Sequence, residues 1–591
     1  MKRPSSVLIL AAILAAAGCN GTNGPTGTDV FLITLPVPKD APKLAREDAA
    51  ILLALVRARV AGAAPRRMLE LMRRLEGSRV LNAEDKHKVL VTVWPARGRP
   101  VTCAASAGTL GFSAIAAAQF VRNEMPGAAG RLARVQVDVA CDERPGPLMA
   151  PVAPGLEGLA AQVAGKPVAL PPARYLADEP RGSAFAAQLA RALGLTPDDF
   201  FKRNPAVMRF RTVAFVERFR GGGALPVFRG NVLLRAPGRK ALRSAAAAAE
   251  SYLARSVRGD GRFVGERRAT SDEETVNESM VHHAYALRLF RPGNGDRVRV
   301  RARAGTRTHL RSRLVTRGEM AWIEDARGAS LGAAATAVLA LVETESREDM
   351  DRARALGRFL VALQGPDGAF HYAWDRAAGR PSAETVHRAW PGQAILALLA
   401  LAERDAANAD AWRRAALLGV RYETGRNVLS EDTLDPWRLL ALARAGRAFE
   451  TSQPAAAKAA ATVAFGLADD ACARQVRASA AEPDLIGGVP EPKASLPRVE
   501  LAAGLAEAVA EAHRLARARG DAKRTAKYAS FVRLAARFIY GQQYRRDNVF
   551  VARDDVRLVG GVRATPVHLA VHLDTTARAL AAFRAAAALD E

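Results

Sequence analysis

Cysteine, tryptophan and tyrosine are scarce in this 591-residue chain, which holds four Cys, six Trp and eight Tyr. The cysteines, at positions 19, 103, 141 and 472, are too few and too scattered for a zinc or cluster framework. No P-loop or Asp-rich cluster occurs, which argues against nucleotide and terpene chemistry. The pair in HLAVH, His568 and His572, has Leu569 where a zinc protease carries its Glu, so no metal is assigned there and no cofactor is expected. No internal run reaches the ~20 apolar residues of a membrane span.

Acid is also short. Lys and Arg number 86 against 60 Asp and Glu, a formal net charge of +26. Such a chain attracts anions, but the excess is arginine spread over its length. One stretch stands out, RVRVRARAGTRTHLRSRLVTR from Arg297 to Arg317, whose first half alternates Arg with apolar residues as a strand with one cationic face would. It reads as an anion-facing or solvated edge. No aromatic platform or zinc spacing accompanies it, so no nucleic-acid partner is expected.

What remains is an ordinary globular composition, 49% hydrophobic and 25% charged. The length implies two or three domains, and the abundance of alanine favours long helices.

At the N-terminus Lys2 and Arg3 precede an apolar run, Val7 to Ala17, of secretory length. Small residues, Ala16-Ala17-Gly18, then lead directly to Cys19. This resembles the lipobox of bacterial lipoproteins, with Ala16 where Leu is the commoner residue. The resemblance implies lipidation of Cys19, removal of residues 1–18 as a signal peptide, and membrane attachment through the lipid. Asn20 is not the Asp that often retains lipoproteins at the inner membrane, so in a Gram-negative cell the outer membrane is expected. An ordinary secretory signal with a chance Cys is the alternative. Residues 19–41 read as the lipidated Cys and a flexible tether, of which Asn20 to Asp29 (NGTNGPTGTD) is polar and Gly-rich. An oxidising envelope would permit a disulfide between Cys103 and Cys141, but two separate buried thiols are the expected state.

Residues 42–221 interleave helices and strands and read as an α+β domain. KVLVTVW, RPVTCAAS and RLARVQVDVAC are strands, and LAAQVAGKPVALP is a hairpin turning at Gly165. TPDDFFKR is a helix with Thr196 as N-cap and Pro197 at its first position. The run from GLEGLAAQVAGKPVALPPARY to AVMRFRTVAFVER resembles the C-terminal half of the AMMECR (AMME chromosomal region) family. Gly194, Pro197, Asp198, Arg209, Phe210, Phe215 and Glu217 carry the match. The family's Leu-Arg-Gly-Cys-Ile-Gly hallmark maps onto PVTCAA, where only Cys103 agrees. The resemblance therefore implies a fold and a scaffold, not an activity.

Residues 222–237 read as a linker, and 238–591 as helices almost throughout. Three segments repeat as amphipathic helix, polar turn and Phe, ending at Phe263, Phe370 and Phe550. Two more share a Gly-Gly turn, an extended stretch and an acid opening a helix, beginning at Ile486 and Val559. Six helical hairpins follow, and that count suggests an all-α, closed α/α toroid. The QGPDGAF turn is similar to those of the terpenoid-cyclase and six-hairpin glycosidase superfold.

In such toroids the inner helices begin at one mouth, where substrates usually bind. Acids stand at those beginnings: Glu278, Glu384, Asp435, Glu500 and Asp574. Each could simply cap its helix, or two could converge as acid and base. Inverting glycosidases hold such a pair about 6.5–9.5 Å apart and retaining ones about 5–5.5 Å. Tyr372, Trp374, Trp390 and Trp437 are candidates to stack on sugar rings. His282 and His283 are adjacent on one helix, so they cannot share a face. The expectation is an exported, lipid-anchored envelope protein that binds a glycan or another envelope protein. The alternative is a carbohydrate-active enzyme, a glycoside hydrolase or epimerase, using these carboxylates.

Overall fold

The computed structural model describes residues 40–589, apart from residues 75, 77, 79, 81–86, 96–98, 127–131, 148–151, 179–183, 219–220, 270, 272, 292–295, 326–327, 345, 385–387, 427–433, 480–481, 492–495 and 553–555. The leader, Cys19 and nearly all of the tether lie outside the described residues.

The first domain is built on an antiparallel sheet. Its strands are β1 (Val89–Pro95), β2 (Val101–Ala105), β3 (Leu132–Gly146), β4 (Gly158–Val163), β5 (Lys166–Leu170), β6 (Val207–Glu217), β7 (Ala224–Phe228) and β8 (Asn231–Val232). The order is β2-β1-β3-β6-β4-β5, with β7 on β6 and β8 on β7. Period-2 placement of β-branched residues sets the faces. Val89, Val91, Val93, Val135, Val137 and Val139 turn one way, onto α1 (Arg46–Val60) and α2 (Pro65–Arg73) and onto α3 (Leu110–Glu124). Glu217, 1% exposed, ties the layers together. It takes the Arg57 guanidinium of α1 and the Val135 N–H of β3 (2.9 Å). The short helices α4 (Pro172–Asp178), α5 (Ala184–Ala192) and α6 (Pro197–Arg203) follow β5. Thr196 caps α6 as its sequence demanded, accepting from Asp199 N–H.

In this domain the two cysteines stay apart and the expected linker is folded. Cys103 and Cys141 are free thiols. Cys103 faces Val91 across the β2–β1 ladder, whereas Cys141 lies on β3 opposite Arg211 of β6. Strand β1 stands between them, and Val91 pairs on its other side with Val137, four residues from Cys141. Residues 222–237 are not a free linker, because β7 and β8 extend the sheet. The turn between them puts Arg229 and Gly230 at positive φ (52° and 72°). It drives Arg229, fully buried, onto Glu482 (2.7 Å) and Asp484 (3.1 Å) of the second domain. Trp94 of β1 meets Phe550 edge-on at 5.2 Å across the same seam.

The second domain is six helical hairpins, each an outer helix followed by an inner one. They are α7 (Arg239–Arg255) with α8 (Met280–Arg288), α9 (Arg297–Ser312) with α10 (Leu331–Leu341), and α11 (Arg347–Ala362) with α12 (Trp390–Arg404). Then come α13 (Ala409–Gly425) with α14 (Pro436–Ala448), α15 (Pro454–Arg474) with α16 (Val499–Ala518), and α17 (Ala522–Gln542) with α18 (Leu573–Ala587). The even-numbered helices pack each on the next, and α18 returns to α8, which closes the ring. They are rich in small residues because they are buried on all sides; every residue of α10 is buried.

The ring is not purely helical. Strands β9 (Val264–Arg267), β10 (Glu274–Val276), β16 (Arg563–Thr565) and β17 (His568–His572) form one sheet in which β17 pairs with β9, stitching the last hairpin to the first. A small sheet of β11 (Leu314–Arg317), β12 (Met320–Asp325) and β13 (Gly328–Ala329), and a ribbon of β14 (Trp374–Asp375) and β15 (Arg380–Pro381), fill other loops. The arginine-rich stretch is also not a strand. It forms outer helix α9, initiated by the Asp296 carboxylate accepting from Val298 and Arg299 N–H.

The repeated turns have a shared physical cause. Gly261, Gly368, Gly487 and Gly560 all adopt positive φ, and a Cβ on each would lie 1.8–2.4 Å from a carbonyl oxygen of the next outer helix, on Gly305, Leu418, Leu534 and Ala248 respectively. Only glycine fits both the φ and the approach. A glutamine accompanies three of them. Gln364 donates to Ala415 O (3.1 Å), Gln475 to Phe531 O (3.0 Å) and Gln543 to Ala245 O (2.9 Å), and each also donates to the carbonyl of its own turn glycine. The third repeat is set by Gly560, so the partner bridging to Gln543 is Val562, as Phe263 bridges to Val257 and Phe370 to Gln364. Phe550 instead belongs to an insertion that packs on Trp94.

Candidate active site

The inner helices begin at one end of the ring. Tyr372 O accepts from Leu331 N–H at the start of α10, and the Tyr372 ring stacks on Trp390 at the start of α12 (4.7 Å). Ala389 N–H, also at the start of α12, donates to Asp435 at the start of α14 (2.7 Å). Pro436 there approaches Gly504 in the second turn of α16, and β17 delivers the chain into α18.

The five predicted acids separate sharply at this mouth. Asp435 is the N-cap of α14: it accepts from Trp437 N–H (2.9 Å) and Arg438 N–H (3.2 Å) besides Ala389 N–H, so its role is structural. Glu278 is 65% exposed and pairs with Arg262 (3.2 Å), toward outer helix α9 rather than the mouth. Glu384 is exposed, and its backbone carbonyl accepts from Tyr372 N–H. Glu500 and Asp574 alone come together. Neither is the N-cap of its helix, those positions being Arg498 and His572.

Around this pair lie Arg578, His282 and His572. Arg578 sits one turn beyond Asp574 on α18, and its Nε reaches Glu500 Oε1 at 3.3 Å. Its guanidinium lies over the rings of Tyr285 (5.6 Å) and Trp437 (5.2 Å), and Tyr285 donates to Glu507 (2.8 Å). Gly504 opens this slot, since a Cβ there would stand 2.8 Å from Arg578 Nη1. The side chain of Glu500 keeps 35% of its surface exposed, so solvent reaches the pair.

The environment pushes the two carboxyls apart. Burial and the neighbouring Asp574 raise the pKa of Glu500, against the pull of Arg578, His282 and Arg498. Burial also pushes Asp574 upward, but His282, His572, the Thr575 N–H and Arg578 together outweigh it and hold Asp574 below the usual range. The arrangement sets a carboxyl of raised pKa beside one of lowered pKa and a fixed cation, a split that suits acid–base work on a polar substrate.

The histidines divide as their adjacency required. His283 is core, bonded to Thr306 O (2.9 Å) and packed on Phe263 and His309, and burial lowers its pKa to about 4. His282 faces the acids. On β17 the His568 and His572 rings lie 5.4 Å apart, and His572 Nε2 is buried without a hydrogen-bond partner among the described residues. Among the described residues no cluster of His, Cys, Asp and Glu is arranged to hold a metal ion.

Of the aromatic candidates, Tyr372 and Trp390 are half-buried at the mouth. Trp437, 3% exposed, is committed to Arg578 and Tyr285, and Trp374 packs on Phe359 at 6.2 Å. In the first domain burial pushes the Cys103 thiol up to about 11, so it is no nucleophile at neutral pH. Arg578 is the residue that sequence reasoning missed. Its signal was the Asp574-x-x-x-Arg578 spacing, one helical turn.

No family model matches the chain, and no curated protein does. Among solved structures, an uncharacterised protein from Pyrococcus horikoshii aligns over 31% of this chain and 98% of its own, at 17% identity and a TM-score of 0.25. A GH76 α-mannanase of Bacteroides thetaiotaomicron aligns over 58% of this chain and 95% of its own, at 10% identity and a TM-score of 0.40. Cellobiose 2-epimerase of Spirochaeta thermophila aligns over 60% and 97%, at 13% identity and a TM-score of 0.42.

Proposed function

We propose that this chain is a carbohydrate-active enzyme in which Glu500 and Asp574 are the acid–base pair. The convergence of these two carboxyls around Arg578, at the mouth where the inner helices begin, is the single observation that carries this reading. Glu500, with its raised pKa, donates a proton to a departing sugar oxygen. Asp574, held ionised, acts as base or nucleophile on the opposite side. Arg578 holds the charge of the pair as it changes, and His282, close to both, relays protons to solvent. The stacked Tyr372–Trp390 face, across the ring at the starts of α10 and α12, offers the flat apolar surface that a pyranose ring covers. The first domain serves as a scaffold seated on the toroid, and the enzyme works at a bacterial envelope membrane through acylated Cys19.

The test is product release from a panel of envelope and capsular polysaccharides by the full chain, beside Glu500→Gln and Asp574→Asn. New reducing ends from wild type, lost in both variants, support the proposal. A glycan that raises the melting point of wild type and variants alike, with no product, identifies a binding protein instead. Metabolic labelling with a fatty acid, lost in Cys19→Ala, tests the anchor separately.

A further inference from the structure

The arginines of α9 and β11 are sorted by direction. From Arg297 to Arg317 there are eight arginines and no acid. Three turn inward and are neutralised: Arg299 by Asp296 (2.8 Å) and Glu250 (3.5 Å), Arg307 and Arg311 by Asp349, which is fully buried. A fourth, Arg303, is half-buried in a cleft lined by Leu287, Leu341 and Glu343. The remaining four, Arg297, Arg301, Arg313 and Arg317, are exposed and form no ion pair among the described residues. The acid in the β11–β12 turn, Glu319, is engaged by Arg358 (3.5 Å).

Exposed apolar residues flank these arginines. Val298 and Val300 on α9 and Val315 on β11 are 52%, 56% and 38% exposed, and they are three of the eight exposed large apolar side chains among the described residues. Arg297 and Arg301 stand one turn apart beside them. Packing does not cover them, since the buried stripe of α9 starts only at Ala302 and runs through Thr306 and Leu310, one turn past Val298. A solvated face needs charge but gains nothing from three exposed valines between the charges. An interfacial helix uses both, apolar side chains entering the headgroup boundary and cations meeting anionic lipid.

We infer that the outer face of α9 and β11 is a docking surface for an anionic lipid bilayer. Charge complementarity selects that occupant: uncompensated arginines for the headgroups, interleaved valines for the boundary beneath them. The inference does not rest on the enzymatic reading or on Cys19.

Co-sedimentation of the full chain with phosphatidylcholine vesicles, with and without phosphatidylglycerol, tests it. The full chain is expected to bind the anionic vesicles far more than the neutral ones, and added salt should weaken that preference. Arg297→Glu combined with Arg301→Glu should weaken it about tenfold or more. Val298→Ser combined with Val300→Ser should weaken it with charge unchanged. Arg414→Glu combined with Arg421→Glu, the same charge change on exposed positions of α13, should leave it near wild type. Equal losses in the α9 and α13 charge variants would mean general electrostatics and would overturn the inference. So would binding to heparin, lost with the α9 arginines, without any gain from anionic lipid, since that makes the partner a soluble polyanion.

Discussion

Replacing Gln543 with Leu removes two of the hydrogen bonds that tie the last hairpin of the toroid to the first, and its cost follows from two carbonyls. Gln543 is 1% exposed and donates from Nε2 to Ala245 O (2.9 Å) on α7 and to Gly560 O (3.2 Å) in the last turn. Ala245 O lies inside a helix and keeps its Ala249 N–H partner, so it loses only a second bond, a net effect of about 1 kcal/mol. Gly560 O is left buried without this donor, a desolvation cost of about 1–3 kcal/mol. Leu is of similar bulk, so little cavity term is added, and the total is about 2–4 kcal/mol. Urea unfolding followed by tryptophan fluorescence reads this as a lower midpoint at unchanged slope. Gln364→Leu should cost less, because its contact with Gly368 O is already long at 3.5 Å. Gln453→Leu, an exposed position before α15, should stay within about 0.5 kcal/mol of wild type. A Gln543→Leu loss no larger than that control would refute the view that these glutamines lock one outer helix to the next.

Other outcomes follow from the same structure. Gly560→Ala, with φ +97° and a Cβ 2.1 Å from Ala248 O, should unfold at much lower urea than wild type or fail to accumulate folded. Glu500 holds its proton more tightly folded than unfolded, so its ionisation opposes folding as pH rises. Glu500→Gln should therefore raise the melting point at neutral pH and leave it unchanged below about pH 4. Asp574 has the opposite sign: its stabilisation is present above the unfolded value and lost as pH falls, so Asp574→Asn should lower the melting point at neutral pH. Burial pushes Asp138 up to about 7 despite bonds from Gln136 and Thr212, so wild type should lose stability relative to Asp138→Asn as pH rises from 4 to 7. Alkylation of denatured protein without reductant should label Cys103, Cys141 and Cys472 fully, whereas one disulfide would protect two of them.

The toroid was legible in the sequence because its repeats have a local cause. A glycine at positive φ under the next helix must recur, and GDGRF, GPDGAF, IGGV and VGGV record it. The third register was misread because residues 549–558 insert a buried aromatic, Phe550, ahead of the true turn at Gly560. The Arg297 stretch was misread because Arg-apolar alternation is a period-2 pattern, yet Asp296 caps a helix there and Ala302, Thr306 and Leu310 supply the four-residue period of its buried side. Burial on both sides hid the linker strands, since Leu225, Val227 and Val232 pack into the toroid's core while Ala224 turns to the helices of the first domain. At the site, listing acids at helix starts found Glu500 and Asp574 but could not separate them from Asp435, because capping and catalysis ask for the same residue at the same place. Only the partners decide: three N–H groups for Asp435, a guanidinium and histidines for the others.

The most direct test of the central claim is the pH dependence of product release from whichever glycan the panel yields, measured for wild type and Glu500→Gln. If Glu500 is the acid and Asp574 the ionised partner, wild type should follow a bell whose alkaline limb disappears together with nearly all activity in Glu500→Gln. Wild-type turnover and an unchanged pH profile in Glu500→Gln would contradict the assignment and move the chemistry away from this mouth.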